Sequence, residues 1–193
     1  MPEEPLRLTL ISGSLRSRST NTALLRTALE LVPEGAEAVL YEGLAELPHF
    51  NPDEDPPGGT PPRPVAALRR RLAETDAILF CTPEYAGALP GSFKNLLDWT
   101  VGGGETYGMP VAWVNVSGRA ATSGGADAHD SLRKVLGYTG SEIVEQACAR
   151  IPLSREMVGP DGTIADAEVR ERLGKAIEAL LAAARGKRAE AAA

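Results

Sequence analysis

Residues 13–21, G-S-L-R-S-R-S-T-N, gather one glycine, four hydroxyls, two arginines and one asparagine into nine positions. The apolar residues Leu6, Leu8 and Leu10 alternate ahead of them like a strand, and Leu24, Leu25, Ala28, Leu29 and Val32 follow at helical spacing. A strand-to-helix turn of this composition offers main-chain N–H groups, side-chain donors, positive charge and a helix N-terminus at one place. That set suits a phosphate. Capping by Ser19 or Thr20 would account for one hydroxyl only. No Gly-Lys-Ser/Thr closes the loop, so it is not a Walker A. Gly13 stands alone, so it is not the three-glycine dinucleotide fingerprint either. The loop suits a single terminal phosphate; the competing reading is an ordinary βα turn with a solvated arginine pair.

The elements around this loop alternate. A short strand is expected over 36–42 and a helix over 65–74. The run Ala77-Ile78-Leu79-Phe80-Cys81 reads as a strand buried on both faces. A helix over 92–101, a strand over 111–116, a helix over 126–136, a strand over 142–149 and a helix over 166–184 complete the series. Strand–helix alternation repeated five times predicts an α/β fold, a flavodoxin-like doubly wound five-stranded parallel sheet of order 2-1-3-4-5 with helices on both faces. Ligands bind such sheets outside the carboxyl ends of the strands, at the switch between the first and third. The two unusual loops, 11–21 and 83–91, follow those strands. Between the second strand and second helix, prolines at 48, 52, 56, 57, 61, 62 and 64 exclude helix and central strand. That loop is long enough to border a functional site or a subunit contact.

The 193 residues, 43% hydrophobic, suffice for one cored domain over 1–185, with 186–193 expected as a disordered tail. Net charge is −6 and the basic residues are scattered outside 185–188, which argues against a nucleic-acid partner. No stretch approaches the ~18 apolar residues of a membrane span, and Met1-Pro2-Glu3-Glu4 is acidic where a leader would be basic, so a cytoplasmic location is expected. Cys81 and Cys148 fall in predicted strands and read as buried free thiols. His49 and His129 belong to no metal-ligand spacing. His129-Asp130 has no accompanying nucleophile elbow, which leaves His129 as a helix-surface residue.

Two motifs carry a resemblance: G-S-L-R-x-x-S-x-N at 13–21 and P-E-Y-x-G-x-x-P-G-x-x-K-N-x-x-D-W at 83–99. In both, and in their order, the chain resembles the NADPH-dependent FMN reductase family, the flavodoxin-like NAD(P)H:flavin, quinone and azo reductases, over roughly residues 6–155. The resemblance implies that Ser14, Arg16, Ser19, Thr20 and Asn21 hold the FMN phosphate. It implies that Pro83, Glu84, Tyr85, Ala86 and Gly87 line the isoalloxazine, largely through backbone groups, with Ser117, Gly118 and Arg119 on its other edge. The family often has Asn where this chain has Ala86, so a side-chain amide is lost there. Lys94 and Asp98 stand four apart, as an intrahelical pair or as part of the family's dimer contact. Trp99 is expected in the core or an interface.

The activity so implied is FMN-dependent NAD(P)H oxidoreduction. Hydride passes from NADPH or NADH through FMN to a small-molecule acceptor, by ping-pong kinetics, in a homodimer or homotetramer. The flavin carries the chemistry, so no catalytic acid or base is assigned, and Glu84 is expected to act structurally. Arg119, ahead of Arg16, is the expected partner of an NADPH 2′-phosphate. The rival readings are a flavodoxin-type electron carrier without NAD(P)H turnover, and a flavin-free binding protein on the same fold.

Overall fold

The computed structural model describes residues 4–118 and 123–191. Strand β1 (Leu6–Ser12) pairs in parallel with β2 (Ala36–Tyr41) on one side and β3 (Ala77–Cys81) on the other. Strand β4 (Pro110–Asn115) extends the sheet beyond β3. The fifth position, expected as one strand over 142–149, is divided. Strands β5 (Glu142–Ile143) and β6 (Ala149–Arg150) both pair with β4, with a 3₁₀ turn at Glu145–Ala147 between them. The order is thus 2-1-3-4 with the fifth position shared. The turn exists because Val144 and Ala147 are both buried in the core, a spacing that an extended strand cannot satisfy on one face. It also removes Cys148 from a strand: Cys148 caps the turn and is half-buried, whereas Cys81 is fully buried in β3. Burial pushes the Cys148 thiol up to about 11 and the Cys81 thiol further, so neither is a reactive thiolate near neutral pH.

Each central strand feeds two cores. Leu79, Cys81, Ala112 and Val114 face helices α1 (Thr20–Leu31) and α5 (Ala167–Ala191). Ile78, Phe80, Val111 and Trp113 face α2 (Arg63–Ala73), α3 (Gly91–Trp99) and α4 (Ala126–Tyr138). This two-sided burial is why 77–81 and 111–114 are continuously apolar rather than alternating. Helix α5 runs to Ala191, past the point where a disordered tail was expected. Arg188 holds it down, donating to Asp76 at 2.6 and 3.2 Å and to the carbonyls of Glu4 and Pro5.

The proline-rich segment is ordered by the second motif. Asn95 Oδ1 accepts from Phe50 N at 2.7 Å, while Asn95 Nδ2 and Trp99 Nε1 donate to Pro48 O at 2.8 and 2.9 Å. Phe50 stands edge-on to the fully buried Trp99 ring. Further along, Arg69 makes two bonds to Asp55 and two to Trp99 O. The segment does contain a short 3₁₀ turn, Pro52–Glu54, started by a proline that needs no amide partner, and another, Gly43–Glu46, precedes it.

Candidate functional site

The carboxyl ends of β1, β3 and β4 open into a cleft of about 720 Å³, and the two motif loops meet there. Its first wall is the 13–21 loop. Gly13 N donates to Cys81 O at 2.9 Å, and a Cβ on Gly13 would lie 2.1 Å from Thr82 Oγ1, so only glycine lets this loop cross the end of β3. Ser12 Oγ bonds Thr22 Oγ1 at 2.8 Å and accepts from Ser14 N, and Ser14 Oγ accepts from Arg16 N. Ser19, not Thr20, is the N-cap of α1, accepting from Thr22 N. The amides of Thr20 and Asn21 point out of the first turn and have no protein acceptor among the described residues. Asn21 is buried beneath the cleft, where Cys81 Sγ donates to its Oδ1.

The second wall is the loop after β3. Tyr85 N donates to Ala88 O at 3.0 Å and Ala88 N returns to Tyr85 O at 3.1 Å, around Ala86 (φ 52°) and Gly87 (φ 70°). Two central residues with positive φ make a type I′ turn, for which Asn-Gly is the preferred pair. Asparagine is therefore favoured at position 86 by the backbone itself, apart from any contact of its amide with a ligand. Ala86 carries the cost of a left-handed φ on an alanine, about 1 kcal/mol. We expect Ala86→Asn to raise thermal stability by about 2–4 °C, read from the melting temperature, with Ala86→Gly giving a smaller gain.

The third wall comes from the loop after β4. Asn115 Nδ2 donates to Gly124 O and Asn115 Oδ1 accepts from Ser117 N, both at 2.8 Å, so one side chain at the end of β4 holds both Ser117 and Gly124. Beside it Ile151 N bonds Asn115 O and Leu153 N bonds Val116 O, so residues 151–153 run alongside the end of β4. This pairing delivers Leu153, Ser154 and Arg155 to the cleft.

Of the residues singled out from sequence, Ser14, Arg16, Ser19, Thr20, Asn21, Pro83, Glu84, Tyr85, Ser117 and Gly118 line one cleft. Ala86 and Gly87 do not line it and form the tip of the neighbouring turn. Arg119 lies outside the described residues. Arg18, Val116, Leu153, Ser154 and Arg155 line the cleft as well. Arg18 sits at a variable position of the first motif, and 153–155 belong to a stretch without periodicity whose only signal is its place after the last strand. Among the described residues, no part of the 47–64 loop lines the cleft.

His129, expected on a helix surface, is buried, with its ring stacked on Trp113. Its Nδ1 sits against Gly125 O, which only a protonated Nδ1 can satisfy, and its buried Nε2 has no partner among the described residues. Burial pushes its pKa below the ordinary value of about 6.5, against the favourable pull of the Gly125 carbonyl, Glu84 and Asp130. The unfolded chain then binds this proton more readily than the folded one, so His129 costs stability as pH falls through about 6.5. A His129→Phe variant, which keeps the stack on Trp113, is expected to lose less stability than wild type between pH 7 and pH 5 in urea unfolding.

Chemically the cleft has one cationic, hydroxyl-rich end at the start of α1, and an end lined by the less polar Pro83, Tyr85, Val116 and Leu153 together with Glu84. Among the described residues, no carboxylate pairs with Arg16, Arg18 or Arg155, although the chain as a whole is acidic. Free amides, hydroxyls and guanidinium groups at one end with an apolar slot at the other fit a planar ligand that ends in a phosphate monoester.

Comparison with known proteins agrees with this chemistry. The family description "NADPH-dependent FMN reductase" matches residues 6–152. The chain is 33% identical over 172 residues to an NAD(P)H-dependent FMN reductase of Pseudomonas aeruginosa, covering 88% of this chain and 90% of that one. It is 32% identical to a quinone reductase of Pseudomonas putida, covering 74% and 73% of the two chains. Among solved structures it is similar to FerB of Paracoccus denitrificans, a flavoenzyme NAD(P)H:(acceptor) oxidoreductase, with a TM-score of 0.78 at 27% identity over 94% of this chain and 98% of that one. With both motifs at the mouth of a 2-1-3-4-5 parallel sheet, the chain belongs to the NADPH-dependent FMN reductase family.

Proposed function

We propose that this protein is an FMN-dependent NAD(P)H oxidoreductase whose cleft holds FMN with its phosphate at the start of α1. The observation that carries the reading is the convergence of both family motifs on one cleft whose donors are free at the phosphate end. Arg16, the hydroxyls of Ser14, Ser19 and Thr20, and the amides of Thr20 and Asn21 would hold the phosphate, as charged and main-chain donors do at helix N-termini. Pro83, Glu84 and Tyr85 on one side and Ser117 and Gly118 on the other would bound the ring, and the tight 85–88 turn keeps that wall rigid. Bound there, FMN would supply hydride transfer from NAD(P)H to a quinone, flavin, azo or similar acceptor. The protein's part is to orient the ring, leave one face open, and keep its wall from shifting between the two half-reactions.

No helix among the described residues is long and apolar enough to cross a membrane; a cytoplasmic location and small-molecule acceptors are part of the proposed reading. A homodimer or homotetramer is the expected assembly. Exposed Val101, Tyr107 and Tyr138, at the end of the sheet opposite the cleft, offer apolar surface for it, and sedimentation measures the result.

The decisive measurement is the visible spectrum of the purified protein with FMN, before and after anaerobic NADPH. A bound oxidised-flavin spectrum that bleaches supports the reductase reading. Flavin that binds but is reduced by neither NADPH nor NADH makes the protein an electron carrier, and absence of binding sinks both.

A further inference from the structure

A second cleft, of about 420 Å³, lies directly behind the start of α1. It shares Arg18, Ser19 and Arg155 with the first, so these residues form a partition between the two. The far wall is the turn between Val158 and Ile164, which pair as an antiparallel bridge, and this wall is fastened to α1. The buried Thr27 Oγ1 donates to Ala23 O at 3.0 Å and accepts from Ile164 N at 2.9 Å. A hydroxyl buried in a helix and engaged at both lone pair and proton holds the turn at a fixed distance from α1. The opening between them is therefore part of the fold and not a gap between mobile loops.

The lining has two characters. Ala23, Val158 and Pro160 give an apolar strip, and Arg18, Arg26 and Arg155 supply three guanidinium groups. Among the described residues none of the three is in an ion pair. The one carboxylate in the lining, Asp161, is occupied within its own turn by Thr163 N and Thr163 Oγ1, each at 3.0 Å. Three guanidinium groups without a carboxylate partner among the described residues line one cleft in a chain of net charge −6, and an anion is the ligand that complements them. Arginine's planar fork suits a phosphate ester, and the apolar strip suits the face of a base.

We propose that this second cleft is a binding site for a phosphorylated adenosine, the half of a dinucleotide that lies beyond the flavin's phosphate. Two sources share that chemistry: the adenosine 2′-phosphate of NADPH, and the adenylate half of FAD, whose pyrophosphate would cross the Arg18–Arg155 partition. The inference rests on the flavin reading of the first cleft, and the test keeps the two apart.

FMN-loaded protein is titrated calorimetrically with 2′,5′-ADP and with 5′-AMP, for wild type, Arg26→Ala and Arg26→Glu. Arg26 lines the second cleft and not the first, is exposed and makes no side-chain bond among the described residues, so both variants are expected to keep the wild-type melting temperature and FMN affinity. The expected result is binding of at least one probe, weakened about 10-fold by Arg26→Ala and further by Arg26→Glu. Preference for 2′,5′-ADP, with competition against NADPH, identifies the hydride donor as the source. Equal or better binding of 5′-AMP, with flavin-free protein holding FAD more tightly than FMN, identifies the flavin dinucleotide. Binding of neither probe, or binding indifferent to both substitutions, overturns the proposal. A failure of the first-cleft reading shows separately, as absence of FMN binding in its own titration.

Discussion

Arg16→Ala is expected to weaken FMN binding by about 10- to 100-fold while leaving riboflavin binding within about twofold of wild type. The two ligands share the ring and ribityl chain and differ by one phosphate, so their comparison isolates the phosphate end of the cleft. Arg16 lines that end, is exposed, and among the described residues has no carboxylate partner. Its removal therefore breaks nothing in the folded protein, and the melting temperature should not move. A charge-assisted bond to a phosphate is among the stronger single contacts a cleft can offer. Its contribution falls with ionic strength, so the wild-type preference for FMN over riboflavin should shrink from 50 to 500 mM salt, and the variant's should shrink less. Fluorescence quenching of both ligands measures all four affinities. Parallel weakening of riboflavin would move Arg16 from the phosphate to the ring or ribityl chain and sink the assignment.

The proposed phosphate end could be read from the sequence because its chemistry is local. Ser14, Arg16, Ser19 and Asn21 come from one turn crossed at Gly13 and line one cleft, and the turn's composition pointed to them. The central strands were legible for a similar reason: burial on two faces leaves no polar position in 77–81 or 111–114, a pattern few other elements share. What escaped reading depends on partners distant in sequence. Leu153, Ser154 and Arg155 reach the cleft only because Leu153 N finds Val116 O, and nothing within 151–163 announces that pairing. The fifth strand breaks because Val144 and Ala147 must both enter the core under α5, which is visible only once α5 is in place. Helix α5 outlasts the expected boundary because Arg188 meets Asp76, 112 residues away. His129 was placed on the helix surface because His129-Asp130 has no nucleophile elbow to serve, an argument about chemistry that does not bear on burial, and its ring turns inward to Trp113. Ala86 shows the converse. A motif position that resemblance tied to ligand contact turns out to have a backbone reason for its usual residue.

Glu84 separates a structural from a chemical role most sharply, and the expected result is that Glu84→Gln behaves nearly as wild type whereas Glu84→Ala does not. The carboxylate lies in the cleft wall, where an acid–base role would be a natural guess. Its Oε2, however, accepts from Ser123 Oγ and from Ala128 N, the latter at 3.3 Å, in the first turn of α4. Ser123 Oγ also accepts from Gly125 N, and Asn115 holds Gly124. Glu84 thus ties the loop after β3 to the loop after β4, the two walls that would bound a flavin ring. Gly125, the N-cap of α4, has no side chain with which to cap the helix, so the capping oxygen must come from elsewhere. One oxygen receives both bonds, and the amide oxygen of glutamine can receive them equally. What Gln loses is the negative charge at a helix N-terminus, about 0.5 kcal/mol. Alanine strands a hydroxyl and an amide, which costs about 2–3 kcal/mol of stability and frees the two walls to part. FMN affinity should then fall about 10-fold in Glu84→Ala, with kcat reduced and the pH profile of kcat unchanged in shape in both variants. A general base would give the opposite pattern: Gln as inactive as Ala, FMN affinity intact in both, and one limb of the pH profile lost.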